Sequence, residues 1–186
     1  MIHLAIADCF DRHADTLLFV GSLAPDCIDI RSIKDHTHFR DRTDREAALD
    51  ELKSKTNFSD PFEEGILLHL FADLLWDRYA KRKYPECFGG DPDQFREYRR
   101  QIGLAGSHLY HSLPRYADVW EKMSRISPSE YSGSALFPSD KIHEYILTNK
   151  AWHEKPDPGE STFFPADFVK KFIEETVADY QIWRKQ

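Results

Sequence analysis

His69 and Asp73 stand four residues apart in an otherwise apolar run, Ile66-Leu67-Leu68-His69-Leu70-Phe71-Ala72-Asp73-Leu74-Leu75-Trp76. On an α-helix this spacing puts the two side chains one turn apart and about 40° apart in projection. Because the rest of the run is hydrophobic, the helix is expected to be buried nearly all round. Leaving an imidazole or carboxylate unpaired there costs on the order of several kcal/mol. Two arrangements avoid that cost. A His–Asp hydrogen bond ties the helix to itself, or a metal ion takes both groups, since His nitrogen and Asp oxygen are standard zinc ligands.

Other residues of the right type are scattered through the first half of the chain. His3 opens an apolar helix, Asp26 follows a proline in a tight turn, and His36 and His38 flank Thr37 in a polar stretch. Each has a local explanation. A histidine at a helix start packs or faces solvent, and an aspartate in a turn hydrogen-bonds its own backbone. Two histidines two residues apart point opposite ways on extended backbone, so only one of His36 and His38 is expected to reach a given centre.

The elements that must position these groups read as helices. Residues 2–19 form one, with Leu4, Ala7, Phe10, Leu17 and Leu18 on its apolar positions, stopped by Gly21-Ser22. Residues 27–43 read as irregular. Asp44 caps a helix through about Lys53, and Asp60-Pro61 opens the main helix, which runs to about Lys83 before Pro85. Asp91 caps a helix through about Ile102, and 103–125 is helical in composition with Pro114 kinking or splitting it. Residues 126–138 and 153–165 read as loops around a short helix over 140–149. The last helix runs from about Ala166 to Trp183, with Phe168, Phe172, Ile173, Val177 and Tyr180 on one stripe. No segment alternates with a period of two and there is no internal repeat. The expectation is an all-α, single-domain helical bundle over residues 1–186.

Composition bounds the function. The chain has 186 residues, 31% charged and 41% hydrophobic, which suits one globular core. Its net charge of −7 argues against general nucleic-acid binding. Three cysteines, Cys9, Cys27 and Cys87, form no CxxC pair and fit a reducing compartment. The N-terminus has no basic region before its apolar residues, and no uncharged apolar stretch reaches roughly 18 residues. A cytoplasmic protein without a transmembrane segment is expected, and its oligomeric state is left open.

In order along the chain, His3-Leu4, Gly21-Ser22-Leu23-Ala24-Pro25-Asp26, Thr37-His38-Phe39 and Phe62-Glu63-Glu64-Gly65-Ile66-Leu67-Leu68-His69-Leu70-Phe71-Ala72-Asp73 resemble the zinc-dependent phospholipase C family. Fungal single-strand nucleases share that family's architecture. The resemblance covers roughly residues 1–80. It implies a helical fold of the phospholipase C and single-strand nuclease type, with one metal held by Asp26, His38, His69 and Asp73. It also implies that Asp73 bridges to a second metal bound by His3. The function it implies is a metal-dependent hydrolase of phosphoester bonds using one or two zinc ions, or another divalent metal. A metal-activated water attacks phosphorus, and Asp26 accepts or orients the water proton. The substrate would be a small-molecule or lipid phosphoester. His36, Asp29 and Asp35 are candidates to orient ligand imidazoles.

The family's third metal is not matched. Its histidine, ten positions after the helix histidine, is Tyr79 here, and no His-x-x-x-Glu occurs. His108 and His111, His143 with Glu144, or His153 with Glu154 are candidates for a rebuilt site. The family's extracellular enzymes also give a terminal amine, exposed by processing, to one metal, which this chain is not expected to reproduce. Trp76 is a candidate to line a cleft, although core packing is the simpler role for it. The basic run at 78–83 suits a helix C-terminus, and attraction of an anionic substrate is its other reading. Two other functions compete. A helical His/Asp phosphohydrolase needs a His-Asp dipeptide on a helix, which is absent. A non-catalytic helical protein with a structural metal needs only the ligands.

Overall fold

The computed structural model describes residues 1–131 and 136–186. Residues 132–135, part of the expected 126–138 loop, lie outside the described residues. Among the described residues there are nine α-helices and no strand, in one helical domain. The helices are α1 (Ile2–Phe10), α2 (Thr16–Gly21), α3 (Arg31–Thr37), α4 (Arg45–Lys55), α5 (Pro61–Lys83), α6 (Pro92–Ser112), α7 (Pro114–Arg125), α8 (Ser139–His153) and α9 (Ala166–Trp183). A 3-10 turn, Ala24–Cys27, joins α2 to the chain leading into α3.

Helix α5 is the axis of the fold. Asp60 accepts from the Phe62 amide at 2.9 Å, Pro61 occupies the first turn, Glu63 and Glu64 follow, and Lys81, Arg82 and Lys83 close the last turn. Each choice satisfies or complements the exposed backbone dipoles at that end. Leu67, Leu68, Leu70, Phe71, Ala72, Leu74 and Trp76 are all buried, so the helix is surrounded by protein through its middle turns. Trp76 belongs to this core rather than a cleft. Its ring packs against Phe164, Phe168 and Phe172, and its indole N–H donates to Tyr98 Oη at 2.8 Å.

Helix α2 lies directly on α5 through two glycines. A Cβ on Gly21 would fall 2.1 Å from the Phe62 carbonyl oxygen, and one on Gly65 would fall 2.3 Å from that of Leu18. Only hydrogen fits at either position. Helix α1 packs against α9 and α5, while α4 and α9 flank α5. The 3-10 turn sits against α5 and α8.

Several expected boundaries differ. The helix expected over 2–19 is two helices, because Asp11 and Asp15 turn their carboxylates onto local amides, His13 and Leu17, and break the run. Residues 31–37, expected as irregular, form α3 despite dense charge, with Arg31 and Asp35 paired one turn apart at 3.4 Å. Helix α6 runs on to Ser112 before Pro114 starts α7, and α8 extends to His153.

Candidate metal centre

Four elements bring the five expected residues to one place. His3 comes from the first turn of α1, Asp26 from the 3-10 turn, His38 from the C-cap of α3, and His69 and Asp73 from successive turns of α5. His38 Nε2 lies 3.3 Å from His69 Nε2, 3.5 Å from Asp73 Oδ2 and 3.9 Å from Asp26 Oδ1. His3 Nε2 lies 3.2 Å from Asp73 Oδ1, and its ring stacks on that of His69 at 3.7 Å. Two overlapping triads, His38–His69–Asp73 and His3–Asp26–His69, each have ligand atoms within 4.8 Å of one another.

Backbone carbonyls fix the orientation of both central rings. His69 Nδ1 is 2.8 Å from the Ser22 carbonyl, and His38 Nδ1 is 2.8 Å from that of Lys34. A carbonyl only accepts, so each Nδ1 carries its proton and each neutral ring presents a bare Nε2 lone pair. Burial keeps the rings neutral. It pulls His69 down to about 3, the neighbouring His3 adds to this, and Asp26 and Asp73 resist it. His38 is lowered by burial as well, against the pull of Asp73 and Asp26. Two lone pairs therefore face each other at 3.3 Å with carboxylates alongside. No hydrogen bond joins two acceptors, whereas a cation satisfies all of them at once.

The donor set thus fits a zinc ion on His38, His69 and Asp73, with Asp26 beside it. His69 has a single free nitrogen and serves one ion only. A second ion would rest on His3 and the other oxygen of Asp73. If His3 Nε2 instead donates to Asp73, its buried Nδ1 has no partner among the described residues.

Neighbouring histidines, Lys34 and Arg40 hold the carboxylates ionised. Burial opposes charge on Asp26, yet it lies below the usual carboxylate range, with His69, Lys34 and His3 overcoming the burial. Since His69 is neutral above about pH 3, Lys34, with Nζ 2.5 Å from Asp26 Oδ1, is the effective cation near neutrality. Burial likewise opposes Asp73, and the His3 hydrogen bond and charge, His69 and Arg40 outweigh it. Arg40 donates to Asp73 Oδ2 at 2.6 Å.

The turn that carries Arg40 also sets His38. Phe39 has φ 55°, the left-handed region that a large residue rarely adopts. Its amide bonds the His36 carbonyl at 3.0 Å, and the Arg40 amide bonds that of Asp35 at 2.7 Å. This double closure ends α3 with His38 and Arg40 on either side of the strained residue.

The remaining candidates lie elsewhere. His36 turns outward to Asp41, with Nδ1 2.7 Å from Oδ2, and Asp29 is exposed. Asp35 pairs with Arg31 and stands 4.0 Å from Arg40 Nη1. His108 pairs with Asp157 at 3.1 Å and His111 with the Lys155 carbonyl at 2.9 Å. His153 is buried against Tyr110 and Trp120, and Tyr79 stacks on Phe168 at 4.6 Å. Neither His143 nor any of these joins a group able to hold a metal among the described residues. Two surface cavities, of about 480 and 360 Å3, are lined by residues between Phe39 and Lys55 and between Arg12 and Lys122, and by none of the five.

Sequence reasoning missed the Ser22 and Lys34 carbonyls, the Lys34 and Arg40 side chains, and Tyr145. The Tyr145 phenol is raised by burial and by Asp26. The Lys34 carbonyl was within reach of sequence reasoning, since it is the i−4 partner of His38 once α3 is a helix. Compared with protein-family models, curated proteins and solved structures, the chain matches none. Among the described residues no helix is long and apolar enough to cross a membrane.

Proposed function

We propose that this chain is a metal-dependent hydrolase of phosphoester bonds, similar in its ligand set to the zinc-dependent phospholipase C family. The observation that carries the reading is the pair of bare Nε2 atoms 3.3 Å apart, with both Nδ1 atoms committed to carbonyls. That arrangement is unfavourable for two isolated histidines and apt for two ligands of one cation.

When bound, zinc acts as a Lewis acid toward a phosphoryl oxygen and brings the acidity of water to near neutrality. The protein's own groups do the rest. His38, His69 and Asp73 hold the ion, and the Ser22 and Lys34 carbonyls keep the imidazoles aimed. Asp26, kept ionised by Lys34, accepts a hydrogen bond from the attacking water and orients it toward phosphorus. A carboxylate held so acidic steers the water better than it stores its proton, which passes on to solvent.

A second reading, a structural metal in a non-catalytic protein, draws on the complete burial of the His38 side chain. Metal analysis of protein purified at neutral pH without chelators, joined to a panel of phosphomonoesters and phosphodiesters, tests the leading reading. Zinc near one per chain and a turnover abolished by chelation and restored by zinc are expected. Zinc, manganese and iron all at background would overturn it.

A further inference from the structure

Three carboxylates and three permanent cations are in contact at the solvent edge of the cluster. Asp26 meets Lys34 at 2.5 Å, Asp73 meets Arg40 at 2.6 Å, and Asp77 Oδ2 meets Arg40 at 3.0 Å and Arg45 at 2.8 Å. These charges cancel before any metal arrives, and an imidazole that gives its lone pair to the ion adds no charge of its own. One divalent ion therefore leaves an excess of two positive charges in a largely buried site, where solvent screens poorly. The ion needs an anionic companion.

Arg40 is built to receive one. Its Nε donates to Asp77 and one Nη2 hydrogen to Asp73. Among the described residues the Nη1 nitrogen has only a distant carboxylate, Asp35 at 4.0 Å. Of a guanidinium's five donors, the Nη1 pair and a second Nη2 hydrogen remain for a ligand, which is the fork geometry that grips an oxyanion. The side chain is 29% exposed against 12% for Asp73, so the guanidinium that contacts this carboxylate also reaches solvent. Asp77 does not depend on it, because Arg45 donates to the same oxygen.

We propose that Arg40 is the anion-recognition residue of the centre. Its ligand is a phosphoryl group carrying two negative charges, the terminal phosphate of a phosphomonoester rather than the monoanionic link of a diester. This rests on the metal-site reading above and narrows its substrate class.

The test uses the full chain loaded with zinc, with inorganic phosphate and diethyl phosphate as calorimetric probes and zinc content measured on every sample. Phosphate should bind about tenfold or more tighter than diethyl phosphate. Arg40→Gln should weaken phosphate about tenfold or more while zinc content is unchanged. Equal phosphate affinity in wild type and Arg40→Gln at full zinc content, or equal affinity for the two probes, overturns this inference and leaves the metal reading standing. No zinc uptake by the wild type removes both. Should Arg40→Gln lose zinc or fail to fold, Arg40→Lys decides, since it keeps the charge beside Asp73 and loses the fork. Weakened phosphate binding there supports the inference, and wild-type affinity overturns it.

Discussion

His38 and His69 show how far residue types alone carry the argument. His69 and Asp73 stood out in the sequence because a polar group in an apolar run demands a partner, whereas His3, Asp26 and His38 became candidates only through the resemblance. What makes the two central histidines informative is less visible: backbone carbonyls from residues 22 and 34 decide which nitrogen is bare. Lys34 and Arg40 were missed because α3 was not recognised, so their direction toward Asp26 and Asp73 had no basis. Asp73→Asn separates the two readings of the metal. It keeps the shape and removes the charge, so a catalytic centre should lose turnover by about 100-fold or more with a modest change in melting temperature. A structural metal would instead show mainly a lower melting temperature. Zinc content and thermal melts on the same preparation distinguish them.

At the scale of elements, the best-read helices were those with chemical punctuation. Asp60-Pro61 and the basic last turn bounded α5, and Pro165 with the Phe168–Tyr180 stripe bounded α9. The start of the chain misled because Asp11 and Asp15 can cap as readily as they can sit on a helix surface. The Gly65-x-x-x-His69-x-x-x-Asp73 spacing has a packing cause. Gly65 admits α2 against the turn preceding His69, and α2 ends at the Ser22 carbonyl that fixes the His69 ring. Gly65→Ala should therefore destabilise by about 3 kcal/mol or more, since its Cβ meets backbone that cannot step aside. It should also release metal before the chain unfolds. Denaturant titrations followed by helicity and by zinc release report the two events separately. Asp60→Ala, which removes only the cap, should cost about 1 kcal/mol and leave metal affinity unchanged.

Over the whole molecule, buried neutral histidines set the pH response. Unfolded histidines bind protons near pH 6.5, whereas folding pulls His69 to about 3 and His153 to about 2, chiefly by burial. In that interval the unfolded chain binds more protons. Stability is intact above about 6.5 and falls with acidification, at up to about 1.4 kcal/mol per pH unit for each such group. Urea midpoints of metal-free protein should therefore drop between pH 7.5 and 5, and a flat profile would show that these rings are not held neutral. Chelation at pH 7.5 should lower the melting temperature by on the order of 5–10 °C if zinc had been present at about 100 times its Kd. The all-helical class was legible from the missing two-residue period. How α1 leans on α9, with Phe10 against Tyr180 at 5.4 Å, was not, because nothing local links residues so far apart. That contact has a consequence for biosynthesis. The five candidate ligands all precede α6 in the chain, but the helix presenting His3 gains its α9 contacts only when the last helix has been made, so a nascent chain carries the ligands well before α1 is fully packed.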